Sequence, residues 1–363
     1  MTRSRRRLWW LLPIFLLIAA GSLVASRRIG TTRPFTHASG VAVRGSVAEF
    51  RPVILGGARQ WLVIRGRSAR DPILIWLHGG PGTEELGMLR HHNAVLEDHY
   101  LVVYWTQRGT GRSFDAAIPA ASMTPERFVA DLDGLVGMLQ RRFGQRKVVL
   151  VGHSWGSALG VLYAQAHPGK VAVYVGIGQV TNEAANETRS YAYTLAAARR
   201  AGDATAIGEL TAIGPPPYSV AATGIERKWL DRFGGAFHRP VPFRELVWAS
   251  VQASEAGWLD LVNYGPGSDF SMRTLWPQIV KLDLSTTARH FAMPVFIIAG
   301  RFDRNSDAGL AHDYFATLTA PQKAFVWFEG SAHSPPFEQP AAFNDYLIRT
   351  VLPVAKQQLD TEM

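Results

Sequence analysis

The chain has no cysteine among its 363 residues. That excludes disulfides, thiolate metal sites and a cysteine nucleophile. Clusters of His, Asp and Glu at metal-ligand spacing are missing as well, so no metal centre is expected. The loop Thr106-Gln107-Arg108-Gly109-Thr110-Gly111-Arg112-Ser113 could pass for a phosphate cradle, but it lacks the Lys-Ser/Thr ending that such cradles need. It reads as a structural turn whose arginines anchor neighbouring carboxylates. Acidic residues are absent from positions 1–33, which hold Arg3, Arg5, Arg6, Arg7, Arg27, Arg28 and Arg33. The formal charge of +9 therefore belongs largely to this end. The remainder is nearly neutral, and no nucleic-acid partner is expected.

Long apolar runs are scarce too, the clearest being Leu8 to Ala25. It is just long enough to cross a bilayer as a helix, and more positive charge precedes it than follows it. The reading is a single-pass transmembrane helix, with the N-terminus cytoplasmic and the body outside the cytoplasm. Ala19-Ala20-Gly21 leaves open a cleaved signal peptide and a secreted body. Residues 1–33 are thus divided into a cytoplasmic tip, an anchor or signal segment and a linker.

What is present centres on Lys147 to Gly160, KVVLVGHSWGSALG. A β-branched run enters a Gly-X-Ser-X-Gly turn and leaves in small, helix-compatible residues, putting Ser154 at the apex of a strand–turn–helix. A serine hydroxyl becomes a useful nucleophile only when it stands clear of its neighbours, beside a base and near oxyanion donors. Gly152 and Gly156 omit the side chains that would collide where strand and helix nearly touch.

Strands are expected at Val41–Phe50 and Gln60–Arg65, joined by a Gly56-Gly57 turn, and at Ile73–Leu77, Leu101–Trp105 and Val171–Ile177. A helix over Pro125–Phe143 starts after Thr124 and stops at Gly144, and Asp131 and Asp133 within it read as surface or capping charges. Apolar strands alternating with helices imply a mostly parallel central sheet flanked by helices. From Gln179 to Arg289 the strand rhythm gives way to helical patches, which reads as an inserted helical cap over the site. It resumes with Pro294–Ala299 and Ala324–Phe328. The domains are therefore residues 34–178 as the first part of the core, 179–289 as the cap and 290–363 as the second part of the core.

Asp303 and His333 each stand just past a late strand, at the sheet edge where sites form. The order Ser154, Asp303, His333 is that of the α/β-hydrolase triad, with His333 as base and Asp303 orienting it. Asp307, Asp283, His290 and His312 are rivals that do not directly follow a strand. The glycine-rich loop His78-Gly79-Gly80-Pro81-Gly82 follows Ile73–Leu77. It offers the Gly80 N–H as one oxyanion donor, with the Trp155 N–H as the other. His78 reads as a brace for that loop.

HGGPG at His78–Gly82, QRGTGRS at Gln107–Ser113, GHSWGS at Gly152–Ser157, GRFD at Gly300–Asp303 and AHSP at Ala332–Pro335 together resemble the prolyl aminopeptidase (proline iminopeptidase) branch of the α/β-hydrolases. The likeness spans roughly residues 73–336 and leaves the cap largely unmatched. It implies the α/β-hydrolase fold, Ser154 as nucleophile with Asp303 and His333, no cofactor, and release of an N-terminal residue, often proline, from small peptides. Thr106 stands where the branch commonly has Asp. Its members also hold the free amino group on cap carboxylates near a Trp-Glu pair, which has no match here, so Glu183 and Glu187 are the candidate substitutes. A carboxylesterase or amidase acting on small esters or amides is the alternative.

Overall fold

The computed structural model describes residues 30–238, 248–249 and 253–360. Its frame is an eight-stranded sheet of order β1-β2-β4-β3-β5-β6-β7-β8. The strands are β1 (Val47–Leu55), β2 (Ala58–Gly66), β3 (Ile73–Leu77), β4 (Leu101–Thr106), β5 (Val148–His153), β6 (Val171–Ile177), β7 (Val295–Gly300) and β8 (Lys323–Phe328). β1 and β2 form an antiparallel hairpin and β2 runs antiparallel to β4, whereas every pair from β4 through β3 to β8 is parallel.

β3 to β7 are buried along their whole length because helices cover both faces. Side-chain alternation then feeds two cores at once. Ile73, Ile75 and Leu77 enter one, while Leu74 and Trp76 of the same strand enter the other. The expected first strand is shifted, from Val41–Phe50 to Val47–Leu55. It is an edge strand with an exposed middle, so its apolar pattern is weak.

The helices that position the site are α1 (Leu86–His92), α2 (Pro125–Phe143) and α3 (Trp155–Ala166). In α2, Thr124 caps the start by accepting from the Arg127 N–H at 3.2 Å, and Gly144 ends it in a left-handed conformation. Asp131 corrects an expectation. It is fully buried, accepting from Arg108 Nε at 2.9 Å and Gln60 Nε2 at 2.7 Å. The helix faces the β4 loop at this point, so the carboxylate is the buried anchor of a loop arginine.

Between β6 and β7 lies a helical insertion containing α4 (Glu183–Ala201), α5 (Ala204–Ile213), α6 (Val220–Arg232) and α7 (Trp258–Ile279). Side chains of Asn182, Asp203 and Ser219 cap the first three. Ala198, Ala206, Leu210 and Trp229 form a small core of their own. The insertion's two ends meet, with Leu284 N–H donating to Thr181 O at 2.7 Å. Arg112 of the β4 loop fastens α7 through Asp260, Nε to Oδ1 2.7 Å. After β7 comes α8 (Ala308–Thr317).

The expected N-terminal transmembrane helix is corrected. Among the described residues no helix is long and apolar enough to cross a membrane. The longest, α7 at 22 residues, interrupts its apolar positions with Asp260, Asp269 and Arg273. Leu8–Ala25 lie outside the described residues.

Candidate active site

Ser154 sits where β5 ends and α3 begins, with φ 55° and ψ −122°, a positive-φ conformation unusual for a residue with a Cβ. The turn is held by its own N–H, which donates to Ile177 O at 2.9 Å. The flanking glycines are required by contact: a Cβ on Gly156 would lie 1.9 Å from Leu77 O, and one on Gly152 2.3 Å from Gly156 O. Strand and helix thus approach each other through backbone alone.

Asp303 follows β7 and His333 follows β8. His333 Nδ1 donates to Asp303 Oδ2 at 2.9 Å. The other oxygen of Asp303 accepts the N–H groups of Asn305 and Ser306, each at 2.9 Å. The carboxylate is fully buried, and its three donors fix its direction. Nδ1 is therefore the donor to Asp303, which leaves Nε2 of His333 free to act as a base. Ser154 and His333 line one cavity of about 530 Å³. Glu338 holds the His333 loop, its Oε1 accepting from Ala332 N at 2.9 Å and Ser334 N at 3.1 Å.

Gly80 and Trp155 share with Ser154 the wall of a second cavity of about 200 Å³. The Trp155 N–H opens α3, where first-turn amides have no intrahelical acceptor. Gly80 adopts φ 110°, a conformation glycine permits. His78 accepts from Gln107 N–H at Nε2, 3.0 Å, and is held neutral because burial pushes its imidazole down. Gln107 also donates to His78 O and accepts from Trp155 Nε1, both at 3.1 Å, so the β4 loop ties the start of the His78–Gly82 loop to the Trp155 side chain.

A buried pair beside them has no local sequence signal. His153 Nδ1 meets Glu85 Oε1 at 2.6 Å, and its Nε2 donates to His333 O at 3.0 Å. Both ring nitrogens face acceptors, so the imidazole carries two protons. Burial opposes that charge and Glu85 outweighs it, raising His153 and holding Glu85 low. Glu85 also accepts from Gly79 N–H at 3.1 Å and Trp76 Nε1 at 2.8 Å. One ion pair thus joins the His78–Gly82 loop to the His333 loop.

On the insertion side, Glu183 lines the smaller cavity with Arg227. It is buried, its Oε1 has no hydrogen-bond partner among the described residues, and burial, with Glu187 nearby, pushes its carboxyl up to about 8. Glu187 does not line either cavity. It pairs with Arg227, which also pairs with the fully buried Glu226. Two carboxylates therefore pair with one guanidinium, and Glu183 shares a cavity wall with it. Arg227 and Glu226 were missed in the sequence because charged residues on a helix read as a solvated face.

The rivals fall to other tasks. Asp307 caps α8 and pairs with Arg189 at 3.0 Å, Asp283 accepts from Ser285 Oγ, and His290 contacts Thr319 at 2.7 Å. His312 stacks on Trp327.

Sheet order, the turn at Ser154 and the His333–Asp303 pair define a hydrolase on the α/β-hydrolase fold, and the chain belongs to that family: the model of the alpha/beta hydrolase family matches residues 74–346. Within it the chain falls in the prolyl aminopeptidase-like branch. It is 31% identical over 307 residues to the "Probable aminopeptidase YbaC" of Bacillus subtilis (strain 168), covering 84% of this chain and 96% of that one. It is 26% identical over 300 residues to the proline iminopeptidase of Heyndrickxia coagulans, covering 81% and 96%. The solved proline iminopeptidase of Mycobacterium smegmatis superposes with a TM-score of 0.60 at 20% identity, covering 87% and 100%, a likeness of fold.

Proposed function

We propose that this hydrolase is a serine aminopeptidase that releases a small N-terminal residue, such as proline, from short peptides through an acyl-enzyme. The observation that carries the reading is the unpartnered, buried Glu183 oxygen on the wall of the cavity that also holds Ser154, Gly80 and Trp155. A buried carboxyl oxygen without a donor is costly. A substrate ammonium would supply both the missing donor and the counter-charge.

In this mechanism Nε2 of His333 takes the Ser154 proton as Oγ attacks the scissile carbonyl. Asp303 keeps the imidazole in the right tautomer and stabilises its charged form. The N–H groups of Gly80 and Trp155 receive the oxyanion. His333 then hands the proton to the departing amine, and water attacking the acyl-enzyme regenerates Ser154. The helical insertion serves as a cap that excludes water and selects the acyl group.

The test compares wild type with Ser154→Ala on proline naphthylamide and on a short-chain p-nitrophenyl ester. Serine-dependent amide cleavage, lost by a factor of about 10⁴ or more in the variant, is the expected result. A second reading, a carboxylesterase or amidase, is favoured by one observation. With its carboxyl pushed up to about 8, Glu183 is uncharged at neutral pH in the free protein, so a neutral acyl group would meet no buried charge there. Serine-dependent cleavage of the ester alone would select that reading.

A further inference from the structure

We infer that the cavity on the His333 side of Ser154 receives an uncharged, bulky apolar leaving group, so that the substrate class is a peptide or amide whose small first residue is followed by a large hydrophobic one. This rests on the roles given above to Ser154, His333 and Glu183.

Ser154 stands between two cavities of different character. The smaller contains Gly80, Trp155 and Glu183 and is not lined by His333. The larger is lined by His333 together with Met88, Phe237, Leu261, Tyr264 and Phe337. An imidazole that takes a proton from the serine returns it to the leaving atom, so that atom must lie on the imidazole's side of the nucleophile. The acyl group then occupies the smaller cavity beside Glu183, and the leaving group occupies the larger one. Its walls are mostly aromatic and aliphatic carbon, the lining that discriminates by apolar size.

The charges of the larger cavity point the same way. Glu85 and His153 neutralise one another through their 2.6 Å contact. Glu84 accepts from Thr106 Oγ1 at 2.8 Å, and the guanidinium whose charge acts on it, Arg112, is already engaged with Asp260. Among the described residues no Lys or Arg lines this cavity. A free carboxylate one residue beyond the scissile bond would enter a region with surplus acid and no unpaired cation among the described residues. An amide, or the next peptide unit, would bring no charge.

The experiment uses the full chain and measures kcat/KM on prolyl-phenylalaninamide, prolyl-alaninamide and prolyl-phenylalanine with its carboxylate free. The phenylalaninamide is expected to exceed each of the others by about tenfold or more. Leu261, 46% exposed on the cavity wall, can be replaced with little risk to folding. Leu261→Lys supplies the missing cation and should raise the ratio of free dipeptide to amide several-fold. Equal rates on all three substrates, or an unchanged ratio in Leu261→Lys, would overturn the pocket assignment and leave the aminopeptidase reading intact. If no prolyl substrate is cleaved but acetate esters are, the aminopeptidase reading fails and the pocket is judged on benzyl against methyl acetate. Preference for benzyl then sustains the assignment and equality overturns it. Absence of turnover on both classes overturns both.

Discussion

The two walls of the Ser154 site hold their charges in opposite ways. On the sheet side Asp303 has three donors, and Glu85 has His153, Gly79 and Trp76. On the insertion side Glu183 and Glu187 each keep a buried oxygen without a partner among the described residues, and two carboxylates, Glu187 and Glu226, share Arg227. Groups that must be aimed before substrate arrives are saturated with partners. In the function proposed above, groups that wait for a ligand are left short of one. On that proposal the contrast separates the wall assigned to chemistry from the wall assigned to recognition.

The sharpest way to break this comparison is to unbalance the saturated wall. Asp303→Asn keeps an oxygen for the Asn305 and Ser306 amides but offers His333 the wrong tautomer, so kcat should fall by about 10⁴ while the thermal midpoint scarcely moves. Steady-state rates beside a melting curve check it. Glu85→Ala strands a buried imidazolium and should cost about 3–5 kcal/mol in urea unfolding at neutral pH. A loss within about 1 kcal/mol would mean the wall does not depend on its pairs.

The opposite wall should respond in the opposite direction. The folded Glu183 carboxyl stands at about 8 against an ordinary 4.5, so folding favours its protonated form. That contribution is complete below the ordinary value and is lost as pH rises through about 8. Glu183→Gln should therefore be about 1–2 kcal/mol more stable than wild type at pH 9.5, with a much smaller gap at pH 5. The same variant should raise KM for free-amino substrates more than it lowers kcat. If both variants at buried carboxylates, Glu85→Ala and Glu183→Gln, shift stability with the same sign at pH 9.5, the distinction between the walls fails.

The saturated wall was the more legible one in the sequence. β3 and β6 are read off to the residue, because strands buried on both faces are continuous apolar runs bounded by turns. Ser154 and Asp303 each follow such a strand and His333 follows the half-buried edge strand β8, so their meeting follows from topology. The Glu85–His153 pair spans 68 positions and joins two loops, which no local period announces. Asp131 looked like a surface charge because nothing in a helical pattern says that an arginine will descend on it. On the insertion side Glu183 and Glu187 were singled out together, through the family resemblance, and nothing local distinguished the one that lines the cavity from the one that does not. Their link to Arg227 depends on how α4 and α6 pack, and packing of that kind leaves no repeating mark.

Ser154 holds its backbone at φ 55° and ψ −122°, which a residue with a Cβ adopts at a cost of about 1–3 kcal/mol and glycine adopts freely. Ser154→Gly should therefore yield an inactive protein that melts later than the active one. A laboratory evolution campaign scored only on heat tolerance would drift toward erasing the proposed nucleophile. Any thermostabilised descendant of this chain needs its turnover assayed in the same round in which its melting point is improved.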